Sequence, residues 1–216
     1  MWTVPACPRP GWADYLDDDE RCRLAMLENA AARDLFLASR AVQRIIGAHY
    51  LGIAPRRVAI VRTCEHCDHP RHGRPRFGAG GVEYSLSHTA DWLRVAVVGG
   101  GERVGLDLEE TGSLHAVPGL ARIIFGAQEL ADFERARAAL RTGLLLRAWT
   151  RKEAAMKVTG FGLQLNPAFV DVRGERARVS GPLRWPGPIH LRDLPAPHGH
   201  ACAVACTAPL TRVLER

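Results

Sequence analysis

The spacing of apolar and polar positions changes period several times along the 216-residue chain. Over residues 20–51, apolar side chains recur at helical intervals, at Leu24, Leu27, Leu35, Val42, Ile45 and Ile46, and no Pro interrupts them. That pattern predicts helix, with Glu28-Asn29 placed to divide it in two. Residues 1–20 are Pro-rich and then acidic, which suits an opening loop and a helix start. Short runs at 58–62, 82–86, 92–98 and 103–109 alternate or carry β-branched residues and predict strands. Gly99-Gly100-Gly101 lies between the last two, which therefore read as a hairpin.

Residues 121–125 and 128–150 return to helical spacing, with a break expected near Thr142-Gly143. From Trp149 to Thr159 no Gly or Pro intervenes, so helix continues to an end near Gly160. Beyond 161 the chain reads as short strands at 169–172, 177–179, 189–191 and 201–205, separated by Gly and Pro turns. The order is helix then strands, twice. It predicts an α+β fold of two similar halves, 1–110 and 111–216.

Composition narrows the class. Hydrophobic residues make up 47% and charged residues 24%, as in a soluble globular protein, and no apolar run reaches membrane-spanning length. The first residues lack the basic-then-apolar order of a signal peptide, so a cytoplasmic location is the default expectation. Net charge is +6, carried almost wholly by Arg, since only Lys152 and Lys157 are lysines. An Arg excess suits an anionic partner, although genomic habit produces it too. No basic block or nucleic-acid module is present, which argues against nucleic acid. Among six cysteines, Cys64 and Cys67 with His69 and His72 have zinc-knuckle spacing, against the plainer reading of a Cys/His-rich loop. Cys202 and Cys206 sit among Ala and Val and read as buried thiols on a strand.

Three stretches carry chemistry. On the 103–109 strand, Val104, Leu106 and Leu108 point one way, and Gly105, Asp107 and Glu109 the other. Two carboxylates on one strand face repel unless a cation lies between them, and a hard divalent cation such as Mg²⁺ is the natural solution. The competing reading is a solvent-facing edge strand. In the helix ending at Gly160, Trp149, Glu153 and Lys157 are spaced i, i+4, i+8 and share a face. Taken alone, Glu153 and Lys157 are an ordinary surface pair; beside Asp107 and Glu109, Glu153 becomes a candidate third carboxylate. Ser87, His88 and Thr89 follow a strand and offer hydroxyls and an imidazole to a phosphate, or merely form a turn. No Gly-x-Ser-x-Gly elbow supports a Ser87–His88 nucleophile. Arg74, between Gly73 and Pro75, suits an anion or a purine face.

In combination these segments resemble the 4′-phosphopantetheinyl transferases, in particular the longer, pseudodimeric, surfactin-synthetase-activating type. The matching residues are His72-Gly73-Arg74-Pro75, Ser85-Leu86-Ser87-His88-Thr89, Val104-Gly105-Leu106-Asp107-Leu108-Glu109 and Trp149-Thr150-Arg151-Lys152-Glu153-Ala154-Ala155-Met156-Lys157, extended by Gly160-Phe161-Gly162-Leu163. They occur in the family's order over roughly residues 20–180, and the last two motifs together are specific. Arg74 stands where many members have Lys, and Arg151 where some have Met or Trp.

The resemblance implies a monomeric pseudodimer with the active site between its halves. It implies transfer of the phosphopantetheine arm of coenzyme A to a serine of an apo acyl- or peptidyl-carrier protein, releasing adenosine 3′,5′-bisphosphate. Carrier proteins are acidic, which gives the basic charge a purpose; their docking region is expected near 114–134. Asp107, Glu109 and Glu153 are implied ligands of Mg²⁺, with Mn²⁺ as the alternative. Glu153 is also the implied base and Lys157 the phosphate contact. Arg74, Ser87 and His88 would hold the adenine and 3′-phosphate end, helped by Arg21 or Arg23. Glu129 falls at a family signature position and reads equally as a helix cap. The rivals are a non-catalytic coenzyme A or carrier-protein binding relative, a metal-dependent phosphohydrolase and a zinc-knuckle binding protein.

Overall fold

The computed structural model describes residues 1–62, 64–67, 73–112, 119–182, 185 and 187–216, without the side chain of Leu163. Two antiparallel five-stranded sheets form the frame. The first has the order β1-β5-β4-β3-β2, the second β6-β10-β9-β8-β7. In the first sheet the strands are β1 (Trp2–Pro5), β2 (Ile60–Val61), β3 (Arg76–Phe77), β4 (Glu83–His88) and β5 (Trp92–Val98). In the second they are β6 (Val104–Glu110), β7 (Val170–Asp171), β8 (Arg176–Val179), β9 (Ile189–Leu194) and β10 (His200–Cys206).

Each sheet packs against one 22-residue helix, α2 (Ala30–Leu51) in the first half and α5 (Ala138–Thr159) in the second. Shorter helices α1 (Asp18–Ala25), α3 (Leu120–Ile124) and α4 (Ala127–Arg135) complete the α-helices among the described residues. The fold is α+β with two halves of like architecture, as the element order predicted.

Local chemistry accounts for the boundaries. Asp17 caps α1: it accepts from the Glu20 amide at 2.8 Å, and Glu20 reaches back to the Asp17 amide. Asn29 caps α2 by accepting from the Ala32 amide at 2.9 Å, so the Glu28-Asn29 division is real. Gly160, at φ 77°, ends α5 in the left-handed conformation that glycine adopts without cost. Three apolar clusters follow. Ala41, Val42 and Ile46 of α2 pack on Tyr84, Leu93 and Val95. Ala154, Ala155, Met156 and Val158 of α5 pack on Ile189, Leu191, Ala203 and Ala205. Between the sheets, Val104, Leu106 and Leu108 meet Ala96, Cys202 and Val204.

Four expectations change. The predicted hairpin of β5 with β6 does not form: both edges of β5 are taken, by β1 and β4, and β6 pairs instead with β10, Asp107 opposite Ala203. By hydrogen bonding β6 goes with the second sheet, so the chain crosses between sheets at the 99–103 turn rather than at 110. The opening loop contains a strand, β1, whose pairing with β5 no local pattern could announce. The helix break falls at Ala136-Arg137, and α5 runs through Thr142-Gly143. Cys202 and Cys206 are buried thiols on β10, as read. No helix among the described residues is long and apolar enough to cross a membrane.

Candidate active site

β6 is the edge strand of the second sheet, and it lies beside α5 closely enough to forbid a side chain at position 105. A Cβ there would sit 1.9 Å from the Ala154 carbonyl oxygen. Gly105 thus lets the strand approach the helix, and Asp107 and Glu109, two and four residues on, share its face. The helix answers with its i, i+4, i+8 stripe. The Trp149 indole Nε1 donates to Glu109 Oε1 at 2.9 Å. Lys157 Nζ donates to Asp107 Oδ1 at 2.7 Å. Glu153 stands between them on the stripe, half-buried.

The first half enters through β4. Ser85 Oγ accepts from the Leu106 amide at 2.9 Å, and Ser87 Oγ donates to Asp107 Oδ1 at 2.9 Å. Lys157 Nζ also donates to the Leu106 carbonyl at 2.9 Å and lies 3.2 Å from Ser87 Oγ. The outward-facing amide and carbonyl of an edge strand are satisfied here by a hydroxyl and an ammonium instead of another strand. Asp107 is only 3% exposed, its Oδ1 is shared by Ser87 and Lys157, and its Oδ2 is buried without a hydrogen-bond partner.

Electrostatics follow from this crowding. Burial, the Asp107 charge and, more weakly, Glu109 push the Glu153 carboxyl up to about 7, against the opposing pull of Lys157. The exposed His88 ring lies at a protein-dense edge of the site; desolvation and the nearby Lys157 charge hold its pKa below the ordinary value. No group of three His, Cys, Asp or Glu side chains among the described residues is already gathered as a metal cage. The donor set nevertheless fits a hard cation. It is all carboxylate, it includes a buried oxygen without a partner, and its mutual repulsion raises Glu153.

A cavity of about 390 Å³ adjoins the cluster, lined by Gly73, Arg74, Ser85, Lys157, Gly160 and Phe161 among others, so both halves contribute walls. Arg74 is 8% exposed at its side chain and pairs with Glu83 at 3.1 Å; its Nε and Nη1 are buried without partners. His66 stacks on Phe161 with ring centroids 3.8 Å apart, and its Nε2 lies 3.1 Å from the Thr159 carbonyl oxygen, which ties the loop at 64–67 to the end of α5.

The structure therefore brings Asp107, Glu109, Glu153, Lys157, Ser87 and His88 to one locus and puts Arg74 on the neighbouring cavity with Lys157. Ser87 touches Asp107 and Lys157, a contact the sequence did not announce. Arg21 is paired with Asp18 at 2.6 Å, and Arg23 lies over the Phe36 ring. Glu129 is a cap and more: it accepts from the Gly126 amide at 3.1 Å and from buried Lys152 at 2.6 Å. Cys64 is buried and Cys67 exposed, whereas His69 and His72 lie outside the described residues. Residues 114–118 of the expected docking region also lie outside them; in its remainder, Ile123 is 60% exposed. Sequence reasoning missed Gly105, Ser85 and His66, although the Trp149–Glu153–Lys157 stripe already pointed to the indole.

Carboxylates, an ammonium and a cavity of about 390 Å³ thus meet at the seam of a two-half α+β fold. The profile of the 4′-phosphopantetheinyl transferase superfamily matches residues 103–205. The chain is 29% identical over 171 residues to the 4′-phosphopantetheinyl transferase HetI of Nostoc sp., covering 76% of this chain and 69% of HetI. It is 35% identical over 89 residues to the 4′-phosphopantetheinyl transferase AcpT of Salmonella typhimurium, covering 41% of this chain and less than half, 46%, of AcpT. The Thermotoga maritima holo-[acyl-carrier-protein] synthase (AcpS) aligns with a TM-score of 0.35 and 20% identity over 50% of this chain and 63% of its own. The chain is thus similar to 4′-phosphopantetheinyl transferases, over residues 103–205 by the superfamily profile and over 171 residues by the likeness to HetI.

Proposed function

We propose that the protein transfers the 4′-phosphopantetheine arm of coenzyme A to a serine of an apo acyl- or peptidyl-carrier protein, as a pseudodimeric, monomeric enzyme. The observation that carries this reading is the convergence of Asp107, Glu109, Glu153 and Lys157 at the seam, beside a cavity lined by Arg74 and Lys157. The first half supplies the adenine and 3′-phosphate side, through Arg74, His88 and the Ser87 edge of the site. The second half supplies the helix that faces the pyrophosphate.

In the reaction the carrier serine Oγ forms a bond to the β-phosphorus of coenzyme A. The bond from that phosphorus to the bridging oxygen breaks, and adenosine 3′,5′-bisphosphate leaves. Catalysis of such a displacement is mainly positioning and charge neutralisation. Asp107, Glu109 and Glu153 would hold a divalent cation, Mg²⁺ or Mn²⁺. When bound, it supplies charge neutralisation for pyrophosphate oxygens. Glu153, one carboxylate of that set, would also accept the serine proton, directly or through water. Lys157 opposes the charge that develops on the leaving oxygen. Ser87 keeps Asp107 in place through its 2.9 Å hydrogen bond. Exposed Ile123 and Arg122, with the +6 net charge, suit an acidic carrier surface.

A non-catalytic relative is disfavoured because the three carboxylates are all present. A phosphohydrolase is disfavoured because two-metal sites need more ligands than these three. One incubation tests the reading: coenzyme A, Mg²⁺ and several apo carrier proteins, followed by intact mass. A phosphopantetheine-sized gain on a carrier is the expected result; no gain on any, with folded protein, sinks the proposal. Glu153→Gln is expected to slow turnover by about two orders of magnitude.

A further inference from the structure

Each carboxylate that β6 turns toward α5 has one oxygen held by a neutral donor, and the two donors come from different halves. Ser87 on β4 serves Asp107, and Trp149 on α5 serves Glu109, both at 2.9 Å. An indole is a donor with no acceptor capacity, and its rigid ring allows few orientations. It therefore limits the rotation of the Glu109 carboxylate without itself bringing a charge to it. An Arg or Lys at this position would hold the carboxylate too, but would add a second cation to the site beside Lys157. A Phe would fill the same half-buried volume and donate nothing.

The spacing gives the contact its meaning. Trp149 lies one helical turn before Glu153, and Lys157 one turn after it. The stripe thus addresses Glu109, contributes its own acid, and addresses Asp107 in order. Resting on the transferase reading above, we infer that Trp149 is a positioning residue, whose indole N–H sets the orientation in which Glu109 meets the divalent cation it shares with Asp107 and Glu153. Donors that hold metal-ligating side chains typically affect metal affinity by about 10–100-fold.

Mn²⁺ binding reads this out without turnover. The full chain, its Trp149→Phe and Glu109→Gln variants and the double variant are titrated with Mn²⁺ in the presence of coenzyme A and no carrier, with free Mn²⁺ followed by electron paramagnetic resonance. Trp149→Phe is expected to weaken Mn²⁺ binding about tenfold or more, with the metal-free melting temperature essentially unchanged. In the Glu109→Gln background the same substitution is expected to cost nothing further, because its route to the cation is gone. Unchanged Mn²⁺ affinity in Trp149→Phe overturns the inference, as do additive losses in the double variant. If the wild type modifies carriers while its Mn²⁺ affinity ignores Trp149→Phe, this inference alone fails. A wild type that modifies no carrier overturns the transferase reading, whatever the titration gives.

Discussion

Lys152 and Glu153 are consecutive residues of α5 that face different neighbours. Lys152, with no exposed side-chain surface, donates to Glu129 at 2.6 Å and to the Pro167 carbonyl at 2.9 Å. Glu153 faces β6, where Asp107, Glu109 and Lys157 set its charge state. A single residue step turns a helix by about 100°, and here that step separates a cation that holds the second half together from an acid that serves the seam.

The Lys152 side predicts a stability effect. Glu129 also accepts from the Val172 amide at 3.1 Å, so it joins α4, α5 and the start of the second sheet's outer strands. Glu129→Gln leaves a buried ammonium without its counter-charge and is expected to cost about 3–5 kcal/mol. Urea denaturation measures it; a loss under about 1 kcal/mol contradicts the structural role given to the pair.

The Glu153 side predicts a pH effect of opposite character. Its folded pKa, about 7, lies above the ordinary value of 4.5, so between these values the folded state binds more protons than the unfolded state. Stability then falls as pH rises from about 4.5 to about 7, and the cost is fully present above that. Glu153→Gln is expected to stabilise the metal-free protein at pH 8, by on the order of 1 kcal/mol after solvent screening, and to give no gain at pH 4. Thermal melts at the two pH values check it, and a gain confined to pH 4 reverses the sign of the argument.

Gly105 predicts a packing effect. A methyl group there meets the Ala154 carbonyl at 1.9 Å, and neither backbone can yield without moving α5 or β6. Gly105→Ala is expected to cost about 3 kcal/mol or more, measured by chemical denaturation. A near-neutral result means that strand and helix are less closely apposed.

Lys157 predicts a loss of rate. Lys157→Ala removes the cation that the proposed reaction sets against the leaving oxygen and is expected to lower kcat/KM for coenzyme A about 100-fold or more. The carrier mass assay measures it over a coenzyme A series. Turnover within a factor of about two of wild type removes Lys157 from the phosphate role.

Much of the site was legible because its residues keep strict local periods. Asp107 and Glu109 share a strand face by the two-residue period, and Trp149, Glu153 and Lys157 share a helix face by the four-residue step. What local periods cannot encode is which edges meet. The predicted β5–β6 hairpin rested on a short Gly turn, yet β1 had already taken one edge of β5 from more than 80 residues away. Ser87 read as a phosphate contact, and Ser85 as no contact at all, because nothing local told that β6 would lie beside β4. Glu129 and Lys152 lie far apart in sequence, and their pairing emerges only when α4 folds against α5.

Where a ladder would join two neighbouring strands, β4 and β6 are fastened by Ser85, Ser87 and Lys157. Backbone ladders lock strands into fixed register, whereas hydroxyls and an ammonium on rotatable side chains tolerate small offsets. Each sheet keeps its own internal bonding whatever its neighbour does. The distance from Asp107 to the cavity beside Arg74 is therefore an alignment tolerance between two separately built parts. Length changes in the 99–103 crossing would spoil that alignment, and with it catalysis, well before they unfolded either sheet.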